Sequence, residues 1–213
     1  LLSPIANPGK ILLGVANYPE HVAATQKQPR EHGMFIKATS ALVGASEGVE
    51  LRNLERLTVH ETELAFVIGK KGTNIPRDRA FDYILGYSIG MDITMRGDET
   101  PSFMKSFDTY GVLGPWLVTR DEIADVHKLD MWLDVNGKRC QTGSTATMIF
   151  NVPKIVSYVS SLMTLMPGDV ITTGTPPGVG MGMKPTPQFL SVGDVVTLGI
   201  EGLGEQKQKI VAA

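Results

Sequence analysis

The stretch VHETELAFVIGKKG, residues 59 to 72, is a strongly apolar run with two glutamates near its start. The apolar residues are bounded by Gly69 and Gly72, which is typical of a buried β-strand. Glu61 and Glu63 stand two residues apart, so a strand places both carboxylates on the same face. Neighbouring carboxylates repel each other unless one is protonated or a cation lies between them. The pair therefore fits either a solvated strand face or one side of a metal site.

A third acid follows a second apolar run, YILGYSIGM, within the stretch GMDITMRGDE. Asp92 lies at the polar end of that run, and a returning chain can bring it beside Glu61 and Glu63. Three carboxylates without a cysteine or histidine cluster suit a hard cation such as Mg²⁺ or Mn²⁺. Zinc would usually recruit more nitrogen or sulfur ligands. His60 falls on the opposite face of an ideal strand, where we expect it to support the structure.

The rest of the chain is predicted to be rich in strands, with a few helices. Asn136-Gly137 predicts a two-residue hairpin turn, and Asn151 precedes a helical pattern with an early proline. We predict strands at 10–18, 34–42, 60–70, 88–95, 167–174 and 192–204, a hairpin at 129–143, and helices at 76–87 and after Asn151. No linker or long repeat divides these segments, so residues 1–213 are predicted to form a single, mainly β domain with a few short helices.

The composition indicates which binding partners and which cellular compartment fit this chain. Twenty basic and 22 acidic residues leave a net charge of −2 without a basic stripe, which argues against nucleic acid or a membrane surface as partner. Cys140 is the only cysteine and no Asn-x-Ser/Thr site occurs, which fits a reducing, cytoplasmic setting. No apolar run approaches the roughly 20 residues of a membrane span. The chain opens at Leu1, which leaves room for a short N-terminal segment upstream.

The glycine-rich stretch GTPPGVGMGMKP, residues 174 to 185, matches no phosphate-binding motif. It lacks the Gly-Lys-Ser/Thr ending of a P-loop and the strand-to-helix setting of G-x-G-x-x-G. The sequence contains no G-x-S-x-G elbow either. A turn-rich connection and a ligand-binding loop therefore remain equally open for this stretch.

Seven blocks that run along nearly the whole chain resemble the fumarylacetoacetate hydrolase superfamily, in its fumarylacetoacetase C-terminal-like domain. The blocks are GVANYPEHV, MFIKATSALVG, HETELAFVIGKKG, ILGYSIGMDIT, KSFDTYGVLGPWLVT, VNGKRCQTGSTATMIFNVPKIVSYVS and LMPGDVITTGTPPGVG. The resemblance implies a mixed β-sandwich roll, usually a homodimer, that binds Mg²⁺, Mn²⁺ or sometimes Ca²⁺. It also implies a small-molecule 2-oxo acid as the substrate.

The same resemblance implies roles for particular residues. The family's metal ligands are an E-x-E pair and a later aspartate, which correspond to Glu61, Glu63 and Asp92. The lysine before Ser-Phe-Asp corresponds to Lys105, and the threonine of Gly-Thr-Pro corresponds to Thr175. Both residues are expected to contact the substrate, and Lys105 to take part in catalysis.

The histidine of the family motif N-Y-x-x-H corresponds to His21, the expected catalytic base on a mobile lid around residues 19–33. Tyr18 in the same motif and Arg96 beyond Asp92 are further candidates for substrate binding. Many family hydrolases carry a glutamate three residues after this histidine, and here that position is Ala24. Glu20 and Glu31 are the nearby acids that could replace it.

Two reactions are consistent with this set of residues. The leading expectation is hydrolysis of a C–C bond in acylpyruvate-type substrates, with His21 activating water and the cation stabilising an enolate. The alternative is a decarboxylase or isomerase of 2-oxo dicarboxylic acids, either oxaloacetate-like or 2-hydroxyhepta-2,4-diene-1,7-dioate-like, in aromatic catabolism. That chemistry uses the same enolate but no attacking water, so the change to Ala24 favours it. A non-catalytic metal-binding homologue is a third reading, disfavoured because His21 and Lys105 are retained.

Overall fold

The computed structural model describes residues 1–14, 16–25, 33–183 and 185–213 of the chain. The strands in these ranges are β1 (Ile11–Gly14), β2 (Met34–Lys37), β3 (Leu42–Gly44), β4 (Val49–Leu51), β5 (Thr58–Ile68), β6 (Ile84–Met95), β7 (Gly111–Thr119), β8 (Asp130–Val135), β9 (Lys138–Ser144), β10 (Val170–Thr172), β11 (Val195–Ile200) and β12 (Gly204–Ala212). The α-helices are α1 (Pro19–Thr25), α2 (Pro101–Met104) and α3 (Val152–Leu162). Short 3₁₀ helices cover Thr39–Ala41, Arg77–Tyr83, Arg120–Glu122, Thr145–Thr147 and Gly180–Gly182. The prediction of a mainly β chain with a few short helices is confirmed.

The strands of the described ranges form two sheets. One has seven strands in the order β2-β1-β10-β5-β6-β7-β3, and the other has five in the order β4-β12-β11-β8-β9. The two longest strands, β5 and β6, are antiparallel neighbours inside the seven-stranded sheet. Parallel pairs join β1 to β10 and β3 to β7, so this sheet is mixed.

Both faces of β5 are buried, but they pack into different apolar clusters. Leu64 and Phe66 belong to the main core, which also contains residues from the five-stranded sheet such as Leu133 and Leu198. Ala65 and Val67 point the other way and pack with a smaller cluster of Ile11, Leu13, Leu113 and Val170. Because side chains alternate along a strand, residues 61 and 63 share the face of the smaller cluster. The core therefore forces the two glutamates into the interior on that side.

Two predicted elements are confirmed in detail. Asn136 and Gly137 have φ angles of 52° and 76°, and they join β8 to β9 in the predicted hairpin. Positive φ at both central positions is the conformation that favours an Asn-Gly pair. The helix α3 begins after Asn151, whose side chain accepts a hydrogen bond from the backbone N–H of Lys154 at 3.0 Å.

Three sequence predictions of local structure were wrong or incomplete. The helix predicted at 76–87 is a 3₁₀ helix over Arg77–Tyr83, after which β6 begins at Ile84. Eleven residues of β6 pair with β5, and this long ladder outweighs the helical spacing of the apolar residues. The strand predicted at 10–18 ends at Gly14, since Pro19 begins α1. The strand predicted at 34–42 divides into β2 and β3, which lie at opposite edges of one sheet and so need the 3₁₀ turn between them.

The helices of the described residues are short. The longest, α3, has 11 residues, against the roughly 20 that a transmembrane helix requires. None of these helices is long and apolar enough to cross a membrane.

Candidate active site

The register of β5 and β6 groups the three predicted metal ligands. Glu61 lies directly opposite Asp92, and Glu63 lies opposite Gly90. One carboxylate oxygen from each of Glu61, Glu63 and Asp92 lies within 4.8 Å of the others. All three side chains are buried, with 8%, 1% and 3% of the residue exposed. The structure therefore brings together the acids that the sequence singled out.

Lys105 reaches into this cluster from the end of α2. Its ammonium donates hydrogen bonds to Glu61 Oε2 at 2.7 Å and to Thr94 Oγ1 at 2.6 Å, and it also donates to Asp92 Oδ2. Arg96 lies on the open side, with Nη2 3.7 Å from Glu61 Oε1. The acids therefore meet two cationic groups on the side that faces the cleft.

A second buried lysine contacts the cluster from another direction. Lys37, at the end of β2, is 2% exposed, and its Nζ lies 2.9 Å from Asp92 Oδ1. No motif in the sequence predicts a role for this residue. The sequence does place this lysine within a predicted strand. A lysine is rarely buried in a strand unless its ammonium is paired.

The electrostatics differ strongly between the two glutamates. Burial and the charges of Asp92 and Glu61 raise the pKa of Glu63 to about 8. Burial also opposes ionisation of Glu61, but Lys105 and Arg96 outweigh it and hold the pKa of Glu61 at about 2. Burial opposes the charged form of Lys105 as well, yet Asp92 and Glu61 raise the pKa of that ammonium. The cluster thus contains one carboxylate that ionises only with difficulty.

This donor set fits a hard divalent cation. Three carboxylate oxygens lie close enough to share one ion, and oxygen-only sets are those that Mg²⁺ and Mn²⁺ prefer. A cation beside Glu63 would relieve the repulsion that raises its pKa. Glu63 Oε2 is also held in place by the backbone N–H of Gly174 at 2.9 Å. The residues that would hold the ion are Glu61, Glu63 and Asp92.

The raised pKa of Glu63 predicts how the stability of the metal-free protein depends on pH. A carboxyl whose folded-state pKa is about 8 rather than 4.5 stabilises the fold at low pH, and this contribution is lost as pH rises towards 8. Between about pH 5 and 8, the melting temperature of chelator-treated wild type should fall more steeply than that of Glu63→Gln. Thermal melts of both proteins check this, and adding Mn²⁺ should restore wild type at high pH. If the melting temperatures of the two proteins fell equally with rising pH, the raised pKa of Glu63 would be contradicted.

The glutamates open into a cleft that is lined by β2, β5, β6, α1, α2 and the segment after β10. Besides Glu61 and Glu63, the lining residues include His21, Phe35, Thr94, Arg96, Met104, Lys105, Gly174 and Thr175. The predicted catalytic residues His21 and Lys105 and the predicted substrate-binding residues Arg96 and Thr175 therefore face one space. The start of the glycine-rich stretch, at Gly174 and Thr175, is part of this lining.

A buried glutamine that no sequence motif predicts fixes the position of Thr175. Gln141 of β9 accepts a hydrogen bond from the backbone N–H of Thr62 at 3.0 Å. Its amide donates to Thr175 Oγ1 at 2.8 Å and to the carbonyl of Pro176 at 2.9 Å. The five-stranded sheet is thus tied to the cleft through one fully buried side chain. No motif marks this glutamine, because its partners are far away in the sequence.

His21 lies on α1, buried to 9% exposure, and close enough to Glu61 to lower the pKa of that carboxyl. Glu20 is exposed on the same short helix. Adjacent helical residues point about 100° apart, so Glu20 does not share the direction of His21. The other candidate, Glu31, lies outside the described residues, together with the rest of the segment 26–32 of the predicted lid.

Tyr18 and His60 are both buried outside the cleft lining. Tyr18 is fully buried in the main core, with its hydroxyl 3.4 Å from Met131 Sδ, and it is not part of the cleft lining. The substrate-binding role of Tyr18 stays a prediction. His60 lies on the face of β5 away from the glutamates, as predicted, and burial lowers its pKa to about 4.

Comparison with known proteins identifies a family model and relatives that match nearly the whole chain. Residues 10–211 match the family model described as fumarylacetoacetate (FAA) hydrolase C-terminal. A Burkholderia cenocepacia (strain HI2424) protein with a provisional hydrolase name is 47% identical over 212 residues, or 96% of this chain and 75% of that protein.

Two solved structures are similar over the whole chain. Maleylpyruvate hydrolase from Sphingobium sp. SYK-6, in complex with manganese(II) and pyruvate, has a TM-score of 0.87 and 34% identity, and the match covers 100% of this chain and 74% of that one. The 2-hydroxyhepta-2,4-diene-1,7-dioate isomerase from Mycobacterium marinum has a TM-score of 0.84 and 35% identity, covering 100% of this chain and 77% of that one.

Proposed function

The chain belongs to the fumarylacetoacetate hydrolase family, and from this premise we propose that it is a divalent-metal-dependent enzyme that hydrolyses a C–C bond in acylpyruvate-type 2-oxo acids. The observation that carries the proposal is the buried cluster of Glu61, Glu63 and Asp92, which shares one cleft with His21 and Lys105. A cleft that holds a chelating acid cluster, a cationic donor and a histidine has the parts that this reaction needs.

The cation that the three acids would hold is Mg²⁺ or Mn²⁺, with Ca²⁺ as a further candidate. When bound, such an ion supplies Lewis-acid stabilisation for negative charge that develops on the oxygens of a 2-oxo acid. The presence of manganese(II) and pyruvate in the similar maleylpyruvate hydrolase structure supports this choice of ion and of substrate class.

Side chains of the cleft supply substrate binding and proton transfer. Arg96 presents a cationic donor and Lys105 a positive charge to the carboxylate and keto oxygens of the substrate, and the Thr175 hydroxyl, oriented by Gln141, offers another polar contact. His21 is the group that can take a proton from water as the water attacks the distal carbonyl. The C–C bond then breaks, its electron pair remains on the pyruvate fragment as an enolate, and that enolate takes up a proton. One acylpyruvate and one water give one carboxylic acid and one pyruvate.

A second candidate function is decarboxylation or isomerisation of a 2-oxo dicarboxylic acid. It is favoured by the sequence around His21, where Ala24 stands at the position of the glutamate that many family hydrolases carry. Neither decarboxylation nor isomerisation needs a histidine that activates an attacking water. The similarity to a 2-hydroxyhepta-2,4-diene-1,7-dioate isomerase supports this reading as well. Both candidates use the same acids and Lys105.

A substrate panel separates the two candidates. Purified protein loaded with Mg²⁺ or Mn²⁺ is assayed with acetylpyruvate, oxaloacetate and an unsaturated 2-oxo dicarboxylate. We expect acetylpyruvate to be converted to acetate and pyruvate in equal amounts. Clear turnover of oxaloacetate or of the dicarboxylate, without cleavage of acetylpyruvate, would replace the proposed function by the second candidate.

A further inference from the structure

We propose that Gln141 sets the direction of the Thr175 hydroxyl, so that this hydroxyl donates a hydrogen bond to a carboxylate oxygen of the bound 2-oxo acid. Gln141 is thereby a positioning residue, which acts on the substrate through Thr175. The inference rests on the proposed function, because it takes a 2-oxo acid as the ligand of the cleft.

Two backbone groups determine which way the Gln141 amide points. The N–H of Thr62 can only donate a hydrogen bond, and the carbonyl of Pro176 can only accept one. Gln141 Oε1 accepts from the Thr62 N–H at 3.0 Å, and Gln141 Nε2 donates to the Pro176 carbonyl at 2.9 Å. The flipped amide would bring donor against donor and acceptor against acceptor. The amide is therefore held in one orientation.

The second N–H of the Gln141 amide is directed at Thr175. Gln141 Nε2 lies 2.8 Å from Thr175 Oγ1, and an amide nitrogen donates but does not accept. Thr175 Oγ1 is therefore the acceptor in this bond, and its own hydrogen points elsewhere. Within the part of the chain that the structure describes, Oγ1 makes no other hydrogen bond. The hydroxyl hydrogen thus has no acceptor there, although the residue is only 4% exposed.

The cleft is the place from which an acceptor can come. Thr175 lines the cleft together with Glu61 and Glu63, whereas Gln141 is fully buried and is not part of the lining. A ligand in the cleft can therefore accept the hydrogen bond that the hydroxyl has left to give. Hydrogen bonds to an ionised acceptor are about twice as strong as those to a neutral one, so the carboxylate of a 2-oxo acid is the favoured partner.

Loss of the Gln141 amide releases the hydroxyl from this direction. Without the amide, the carbonyl of Pro176 loses its donor, and a buried carbonyl without a partner is costly. The hydroxyl of the adjacent Thr175 is then free to turn away from the cleft and to donate to that carbonyl. Removal of Gln141 should therefore have the same effect on ligand binding as removal of the Thr175 hydroxyl itself.

Titration calorimetry with oxalate tests the proposal, using Mn²⁺-loaded wild type, Gln141→Met, Thr175→Val and the double variant. Methionine replaces the amide by a side chain of similar length, and valine keeps the shape of threonine without the hydroxyl. We expect each single change to weaken oxalate binding by about tenfold or more, because a hydrogen bond to a charged group is lost. The double variant should bind oxalate within about twofold of the weaker single variant, because both changes remove the same hydrogen bond.

Two controls separate positioning from a general loss of structure. The Mn²⁺ affinity without oxalate should stay within about threefold of wild type in all variants, because pairing with β6 still holds Glu61 and Glu63. The matched control is Gln206→Met. Gln206 is also buried, and its amide donates to the carbonyls of Ile89 and Gly114, but it does not line the cleft. This change should lower the melting temperature and leave the oxalate affinity within about twofold.

The outcomes distinguish this inference from the proposed function. If Mn²⁺-loaded wild type does not bind oxalate, the proposed class of ligand is wrong and the inference is refuted with it. If wild type binds oxalate and Thr175→Val binds it equally well, the class of ligand stands and the role of the hydroxyl is refuted. Additive losses in the double variant, or an equal loss of Mn²⁺ affinity in Gln141→Met, would refute the positioning role of Gln141.

Thr175→Ser keeps the proposal testable should Gln141→Met fail to fold. Serine retains the hydroxyl but lacks the methyl group that restricts its rotation in threonine. If the Gln141 amide sets the direction of the hydroxyl, Thr175→Ser should bind oxalate within about threefold of wild type, while Thr175→Val loses about tenfold or more. A loss in Thr175→Ser as large as that in Thr175→Val would overturn the proposal.

Discussion

Replacing Glu63 by alanine should lower metal-dependent turnover by about 10³-fold or more, since Lewis-acid stabilisation is worth several kcal/mol in the transition state. Glu63 is 1% exposed and is fixed by the backbone N–H of Gly174, so no neighbouring acid can move into its place. Steady-state kinetics with saturating Mg²⁺ or Mn²⁺ measure the loss. The melting temperature of the metal-free variant is measured alongside, because the change leaves a cavity and deprives the buried N–H of Gly174 of its acceptor.

Two controls make this result specific to the cluster. Glu55→Ala removes an exposed glutamate from a turn and should leave turnover unchanged. Removal of metal from wild type with EDTA should reproduce the loss, and added Mn²⁺ should reverse it. Full activity in EDTA-treated wild type would refute a metal-dependent mechanism.

Replacing His21 by asparagine should lower acylpyruvate hydrolysis by about 10²- to 10⁴-fold, the usual contribution of a positioned general base. Asparagine retains hydrogen-bonding groups but cannot accept a proton from water. Because His21 lines the cleft and lies near Glu61, its loss should lower kcat rather than raise KM. Kinetics with acetylpyruvate at saturating metal give the two constants.

The matched control is Glu20→Gln on the same helix. Glu20 is exposed and points away from the direction of His21, so its replacement should change hydrolysis by less than about threefold, as for most surface positions. A loss near 10²-fold would instead make Glu20 the orienting carboxylate. If His21→Asn lowers acetylpyruvate cleavage but spares oxaloacetate decarboxylation, water activation is the step that needs His21. Equal activity of His21→Asn and wild type on acetylpyruvate would exclude the histidine as the base.

Local patterns were sufficient for the elements whose conformation depends on neighbours in the sequence. The Asn136-Gly137 turn and the capped start of α3 at Asn151 were predicted correctly, because both use backbone geometry that a few residues determine. The region 76–87 was predicted incorrectly. The apolar spacing there fits a helix, but pairing with β5 makes the chain a strand from Ile84 onward. Pairing partners distant in the sequence override a local preference of this size.

The sequence by itself determined the acid pair and the family. Alternation along a strand places Glu61 and Glu63 on one face, and motif blocks along the chain identified the family that the comparisons then showed. It did not determine which other polar residues are buried. Tyr18 belongs to the core rather than to the cleft, and Gln141 holds Thr175 through hydrogen bonds that span 34 residues.

Only the tertiary structure decided that Lys37 belongs to the site. In the sheet order β2-β1-β10-β5-β6, the strand of Lys37 lies four positions from the strand of Asp92. At about 4.8 Å per strand, a flat sheet would hold these two strands roughly 19 Å apart. The Nζ of Lys37 nevertheless lies 2.9 Å from Asp92 Oδ1, because the sheet curls until β2 meets the start of β7. Curling follows from the accumulated twist of every strand in the sheet, and no single segment of the sequence encodes it.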